Sequence, residues 1–451
     1  MKTIDFKELQ ATVLKENYCS GCGVCTALSD GAIQMEINSR GQYFPKKIQT
    51  QQNPQVVCPF ADHQIDENFL AEEHFHDGKT KFHLQFGFYQ EIFAGYVADE
   101  NIRLKGSSGG GVSWLTNKLL DEKLTDYVVH VKPSTGKVFF SYEISKNAAE
   151  LKEGSKSRYY PVSMNKTLQF IKENPGNYTI VGLPCFIKGI RLLQKSDEIF
   201  RERIKYTVSL FCGHLKTTHY TSMLISQFQV NEKEVESIDY RHKIPGKPAN
   251  EYATALKLKS GEILVKPNKE LFGTDWGWGL FKLKVCDYCD DIIGETADIS
   301  FGDAWIPEFV RDWKGTNIIV TRNPELHHLI ENGIQSGELQ MKPLPPEKLI
   351  ESQAGGFRHR REGLAYRLYL DQKNGRWTPP KRVPPEKIKS KKRRKIYELR
   401  ILLRDISLYS ENYKQPELLK KEIMPIVHKL NKVYEHSAWT KLRLKIKNLF
   451  K

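Results

Sequence analysis

A chain of 451 residues is too long for one small core and predicts two or three domains. With 39% hydrophobic and 27% charged residues, and no apolar run of about 18 residues, it reads as a globular protein without a membrane-spanning helix. Its net charge of +15 is concentrated: residues 381–451 carry 21 Lys and Arg against 7 Asp and Glu, and the preceding 380 residues carry 48 against 47. That distribution excludes a basic, nucleic-acid-binding body and confines any acidic partner to a C-terminal appendage.

The first segment, MKTIDFKELQ, is polar, carries Asp5 and Glu8, and lacks the apolar core of a secretory signal. A cytoplasmic, reducing location follows as the expectation, and clustered cysteines there bind metal or do redox chemistry more often than they form disulfides. Residues 1–80 are loop-rich and hold four of the eight cysteines. Cys19, Cys22 and Cys25 form the run CSGCGVC, and Cys58 follows in VVCPF with Pro59 after it. Thiolates at three-residue spacing wrap an iron–sulfur cubane without strain, and a distant Cys-Pro completes the set, as in a ferredoxin loop. The segment is therefore expected to be a ferredoxin-like domain with one [4Fe–4S] cluster. A structural zinc site is the alternative, although zinc sites usually show two C-x-x-C pairs.

From about 81 to 340, strand-like and helix-like runs alternate. FAGYVA, DYVVHV, YTIVGL, YTVSLF, ADISF and NIIVT are predicted strands; GGVSWLTNKLLDEK, PCFIKGIRLLQK and PELHHLIENG are predicted helices. That alternation predicts an α/β domain. Within it, RLKGSSGGGVSWL reads as a glycine-rich turn opening a helix. Ser107, Ser108, Gly109, Gly110 and Gly111 would present backbone N–H groups and hydroxyls to an anion at the helix's positive end. A plain turn capping the helix is the alternative. Lys156 and Arg158, in GSKSRYY, either face a phosphate or acidic substrate or lie in a solvated basic loop. Cys185 follows a strand in VGLPC, and Cys212 ends one in LFCGH, so both fall at the carboxyl edge of a parallel sheet, where ligands gather. Cys286 and Cys289, in CDYCDD, would close a second cubane with them. Buried inert thiols, or a zinc knuckle completed by His214 and His242, remain open.

MKPLPPEKL and WTPPKRVPPEK predict a linker over 341–384. Residues 385–451 read as a basic helical extension, with SKKRRK running into IYELRILLRDISLY. A second helix is marked by Leu419, Ile423, Ile426, Leu430 and Val433, with a kink expected at Pro425. In the last residues Trp439, Leu442, Leu444, Ile446, Leu449 and Phe450 interleave with Lys441, Arg443, Lys445 and Lys447. That composition suits peripheral contact with the anionic inner face of a membrane or docking of an acidic ferredoxin; packing on the protein's own body is the plain alternative. Nothing in the extension resembles a base-reading module, so no specific nucleic acid is expected.

Eight motifs in order, CSGCGVC, SSGGGVSWL, GSKSRYY, VGLPC, SLFCGH, IDYRHK, CDYCDD and DISFGDAW, resemble the coenzyme F420 hydrogenase/dehydrogenase beta-subunit family over residues 15–335. The resemblance implies an FAD-dependent iron–sulfur oxidoreductase with two [4Fe–4S] clusters. It would take electrons from a ferredoxin-like donor and pass hydride to an organic small molecule or to the deazaflavin F420. An electron-transfer subunit of a larger oxidoreductase, linked to polysaccharide biosynthesis, is the second reading. Carried over by motif, Ser108, Gly109 and Gly110 hold the FAD phosphates, and Lys156 lies beside the flavin or its substrate. Cys185, Cys212, Cys286 and Cys289 match the family's cluster positions. Asp303 matches the acidic residue of its GDPW-type turn, with a catalytic or a turn-capping role. In this chain Ser157 and Arg158 intervene between the GSK motif and Tyr159, so the pocket near the flavin is expected to differ, and the extension after Pro385 has no family counterpart.

Overall fold

The computed structural model describes residues 3–49, 53–61, 65–134, 136 and 138–435. Eight strands form one mixed sheet: β1 (Glu91–Val97), β2 (Tyr127–Pro133), β3 (Phe140–Ser145), β4 (Tyr178–Gly182), β5 (Ile204–Leu210), β6 (Ile299–Asp303), β7 (Asn317–Thr321) and β8 (Leu339–Pro343). Their order across the sheet is β8-β1-β7-β6-β5-β4-β2-β3. The four neighbours β2, β4, β5 and β6 run parallel, and antiparallel strands flank them on both sides. All six predicted strands belong to this sheet. The strands β4 and β7 are buried along their whole length, which is why YTIVG and NIIVT read as continuous rather than alternating apolar runs. The chain leaves the carboxyl ends of the adjacent strands β4, β5 and β6 at Leu183–Cys185, at Phe211–Cys212 and at Asp303, so parallel pairing gathers three site motifs at one edge.

The predicted helices are present as α1 (Gly111–Asp121), α2 (Pro184–Ser196) and α3 (Pro324–Gln335). The latter two start with Pro in the first turn, where its missing N–H costs no hydrogen bond. Gly189 on α2 sits where an added Cβ would come within 2.9 Å of Val24, and this lets the N-terminal cysteine loop lie directly on α2.

Two segments differ from expectation. The described residues of 1–80 do not pack apart from the rest of the chain. Their short hairpins, Ile33–Ile37 with Tyr43–Lys47 and Ile4–Asp5 with Gln55–Val56, share one hydrophobic core with α2 and the C-terminal helices. The segment 341–384 is not a linker. It supplies part of β8 and three helices, α4 (Pro346–Ser352), α5 (Ala354–Arg360) and α6 (Glu362–Lys373). Pro346 starts α4, where its missing N–H costs no hydrogen bond, whereas Pro379, Pro380 and Pro384 lie in the non-helical stretch after α6. The extension is helical as expected, and through residue 435 it packs on the protein's own body, the plain alternative to a membrane or ferredoxin contact. Its helices α7 (Lys391–Tyr409) and α8 (Pro416–Tyr434) bury Ile396, Leu399, Leu403, Leu419, Ile423, Val427 and Leu430 in that same core. The buried stripe of α8 uses Val427, whereas Ile426 and Val433 are half-buried. The helix continues through Pro425, which is exposed. The interleaved residues Trp439–Phe450 lie outside the described residues. Among the described residues no helix is long and apolar enough to cross a membrane.

Candidate functional site

At the carboxyl edge of the parallel strands lies a cavity of about 960 Å³. One wall is the glycine-rich turn. Ser107, Ser108, Gly110 and Gly111 line it, with Gly110 in the left-handed region (φ +87°) at the N-cap of α1. The N–H groups of Ser107, Ser108, Gly109 and Gly110 have no acceptor among the described residues. Gly111 differs from expectation, because its N–H donates to Asn317 Oδ1 (2.9 Å). Gly109 does not line the cavity. An added Cβ there would meet the Gly95 carbonyl at 2.8 Å and the Asn317 nitrogen at 2.9 Å, so the turn rests on the sheet backbone. Gly109→Ala is accordingly expected to cost about 1–3 kcal/mol by overpacking, read as a lower urea midpoint.

Other motifs hold this turn in place. Ser108 Oγ donates to the Thr316 carbonyl (2.8 Å), and Ser107 Oγ accepts from the Ser157 N–H (2.7 Å). Ser157, one of the two residues that set this chain apart from the family motif, is thus a joint between the two walls. Lys243, in IDYRHK, donates to the carbonyls of Arg103 (2.6 Å), Ser108 (3.0 Å) and Lys314 (2.5 Å). Burial and the neighbouring Lys156, Arg103 and Arg241 push its ammonium down to about 7. Nothing in the local sequence of IDYRHK marks Lys243 for this role, because its three acceptors lie 71–140 residues away.

Lys156 lines the cavity with a positive φ of +93° and pairs with Asp239 (3.0 Å). Burial opposes ionisation of Asp239, but His242 and Lys156 outweigh it and hold the carboxyl down to about 2. Arg158 lies over the Phe140 ring (4.7 Å) and donates to the Ser155 carbonyl (2.7 Å), while its buried Nε has no partner. Asp303 is gripped bidentately by Arg241 (2.8 and 3.0 Å), so its carboxylate is committed to positioning that guanidinium. Tyr159, Trp276 and Trp278 supply aromatic lining; the Tyr159 and Trp276 rings meet at 4.6 Å.

The eight cysteines form no disulfide and fall into two sets. Burial and then Cys22, Cys19 and Cys58 push the Cys25 thiol well above its ordinary value, and burial with Cys22 pushes Cys58 up to about 12. Burial and then Cys289, Cys212 and Cys286 do the same to Cys185, which also feels Cys22. Burial raises Cys286 to about 12, against the Leu215 N–H that donates to its sulfur (3.2 Å). The two sets therefore adjoin through Cys22 and Cys185, and the Tyr142 hydroxyl, raised first by burial, feels both. Gly23 is needed in the first loop because an added Cβ would meet Ser163 Oγ at 2.3 Å, and its φ is +84°. Its neighbour Gly21 donates its N–H to Cys19 Sγ (3.4 Å).

Among the described residues no group of three or more His, Cys, Asp or Glu closes around a point for a single metal ion. The zinc-knuckle histidines are used elsewhere. His214 lines the cavity against Trp276 (4.2 Å), with its buried Nε2 unpartnered, and His242 faces Asp239 (3.7 Å). The fit to iron–sulfur clusters rests on the donors. Each set offers four soft sulfurs in a buried pocket, where thiolates are stable only with compensating positive charge.

Part of that charge comes from residues the sequence reading placed in a linker. Arg360 is buried among Cys289, Cys212 and Cys286 and donates to the carbonyls of Cys212 (2.6 Å), Gly213 (2.9 Å) and Asp291 (3.0 Å). Lys381 is buried against Asp290 (3.3 Å) and feels Cys289. Asp287, between the two cysteines of CDYC, gathers Lys282, Arg404, Arg367 and His359 around one buried carboxylate. Burial opposes ionisation there, but Lys282, Arg404 and Arg367 hold that carboxyl well below its usual range. Arg404 belongs to α7, so the extension is locked to the cysteine loop by charge. The only hint in the sequence was a run of basic residues, FRHRR, ahead of an apolar helix.

Two family models match. One, described as coenzyme F420 hydrogenase/dehydrogenase, beta subunit N-term, covers residues 92–169; the other, described as the C terminus of the same subunit, covers 176–347. The chain is 23% identical over 410 residues to a coenzyme F420-dependent sulfite reductase of Methanocaldococcus jannaschii, covering 82% of this chain and 58% of that protein. It is 27% identical over 260 residues to the beta subunit of an F420-dependent formate dehydrogenase of the same organism, covering 56% of this chain and 62% of that one. The chain thus spans about three fifths of the length of these two relatives. A chain from the F420-reducing [NiFe] hydrogenase complex of Methanosarcina barkeri superposes with a TM-score of 0.50 at 15% identity, covering 66% of this chain and 99% of that chain.

Proposed function

The chain belongs to the coenzyme F420 hydrogenase/dehydrogenase beta-subunit family, and on that premise we propose that it is an iron–sulfur flavoprotein oxidoreductase. In this reading Cys19, Cys22, Cys25 and Cys58 hold one [4Fe–4S] cluster, Cys185, Cys212, Cys286 and Cys289 hold a second, and the cavity holds FAD. Once bound, these groups supply single-electron transfer from a ferredoxin-like donor and its conversion to a hydride equivalent for an organic substrate or coenzyme F420.

The chain's own residues do the rest. The unspent N–H groups of Ser107–Gly110 and the positive end of α1 bind the pyrophosphate, with Arg158 beside them. Tyr159, Trp276 and Trp278 stack the organic rings and exclude water. Lys156, its ammonium paired with Asp239, lies beside the flavin or the substrate. Arg241, fixed by Asp303, adds a second oriented cation. Arg360 and Lys381 keep positive charge beside the inner thiols.

The observation that carries the proposal is the adjacency of two four-thiol sets through Cys22 and Cys185, with Cys212 opening onto the cavity. Anaerobic purification with iron, sulfide and flavin quantified tests it. About eight iron atoms and one FAD per chain are expected; zinc, or a colourless protein, would defeat it. A second reading, an electron-transfer subunit without its own substrate, is favoured by the likeness of two thirds of the fold to a chain of a multisubunit hydrogenase. Turnover by the isolated chain separates the two.

A further inference from the structure

We propose that the organic redox partner of this chain is an anion bearing a phosphate or carboxylate, and that Arg400, Arg393 and Tyr434 of the C-terminal helices bind that group in the cavity. The inference rests on the redox reading of the cavity and adds the charge class of the molecule that enters it.

Nine Lys and Arg side chains line the cavity against one carboxylate, Asp303. Three of the nine are neutralised in ion pairs, Lys156 with Asp239, Arg241 with Asp303 and Lys282 with Asp287; Arg393 gives Nε to Glu362 (2.8 Å) and Nη2 to the Tyr397 hydroxyl (2.5 Å), and its Nη1 makes no bond among the described residues. The surplus exceeds what one dinucleotide pyrophosphate needs, and Arg360 already serves the inner thiols.

Arg400, like Lys216 and Arg358, lines the cavity without a carboxylate partner among the described residues. Its Nη2 donates to the Tyr434 hydroxyl (2.9 Å), while its Nε is buried with no partner. A buried guanidinium N–H left unmade costs about 1–3 kcal/mol, so a ligand oxygen at that position is the economical explanation. Gly277 leaves the guanidinium flush with the aromatic turn of the cavity, since an added Cβ there would sit 3.5 Å from Arg400 Nη2. The Tyr434 oxygen accepts from Arg400, which leaves its own O–H to donate. A guanidinium fork with a hydroxyl beside it matches the oxygens of a carboxylate or phosphate.

The place of these residues in the chain separates this anion from the cofactor's phosphates. The glycine-rich turn with its unspent N–H groups lies within the family-matched residues 92–169. Arg393, Arg400 and Tyr434 lie beyond the second matched segment, which ends at 347. Residues within the matched segments serve the cofactor, and residues beyond them serve the substrate.

The test is a calorimetric titration of the full-length, cofactor-loaded chain with anthraquinone-2-carboxylate and with neutral 2-(hydroxymethyl)anthraquinone. The unaltered chain should prefer the carboxylate about tenfold or more. Arg400→Gln and Arg393→Gln should each cut that preference about tenfold, and Arg400→Lys should restore part of it. Circular dichroism checks the fold; if Arg400→Gln fails to fold, Arg393→Gln and Arg400→Lys decide. Equal affinity of the unaltered chain for the two quinones, or an unchanged preference in the variants, overturns the proposal. The redox reading fails separately, through missing iron and flavin or a reduced chain that passes electrons to neither quinone, and the titration still judges the anion site.

Discussion

Under the proposed ligand assignment, Cys22→Ala is expected to lower the iron content of the purified chain from about eight atoms to about four and to leave FAD bound. The first thiol set is assembled by the loop around Cys22, whose carbonyl takes the Met164 N–H (2.9 Å), and the cavity takes no lining residue from that loop. Loss of one sulfur leaves three ligands, so the outer cluster is lost while the glycine-rich turn stays intact. Cys286→Ala should also remove about half the iron and additionally abolish turnover, because its loop carries Asp287 and faces Arg360 beside the cavity. Iron and flavin analysis of the two variants, with electron paramagnetic resonance of the reduced proteins, reads the result. Full iron in Cys22→Ala would refute the ligand assignment.

Asp287→Ala is expected to be the most destabilising single change outside the thiols. It strips the carboxylate from Lys282, Arg404, Arg367 and His359, all buried or nearly so, and breaking one side of a buried charge cluster costs about 3–5 kcal/mol. Two of these cations come from α6 and α7, so the C-terminal helices should loosen first and the inner thiol set should lose iron with them. Asp287→Asn should fall between the two, since it keeps an acceptor and loses the charge. Differential scanning calorimetry, with iron content before and after partial denaturation, checks both points. A stability equal to that of the unaltered protein would mean that the cluster of charges is balanced without Asp287.

Local features were legible in the sequence because they follow from neighbours along the chain. The strands and helices of the central domain obey side-chain periodicity, so YTIVG, NIIVT and PCFIKGIRLLQK fall where their patterns place them. The three-residue cysteine spacing and the glycine-rich turn before α1 belong to the same class.

Other features depend on contacts between residues far apart. Arg404 meets Asp287 across 117 residues, and Lys243 meets Ser108 across 135. Whether Cys185 joins Cys212, Cys286 and Cys289, and how near it lies to Cys22, follows from strand order and from Gly189 admitting Val24, neither of which is written in local composition. The prolines of 341–384 mark loops and helix starts equally well, and only packing distinguished the two. The excess positive charge of the C-terminus was visible as a number, but its destination was not. Three of its cations, Lys381, Arg382 and Arg404, neutralise buried carboxylates around the cysteine loop, because a charge is drawn to its counter-charge through space and not along the chain, and Arg400 lines the cavity.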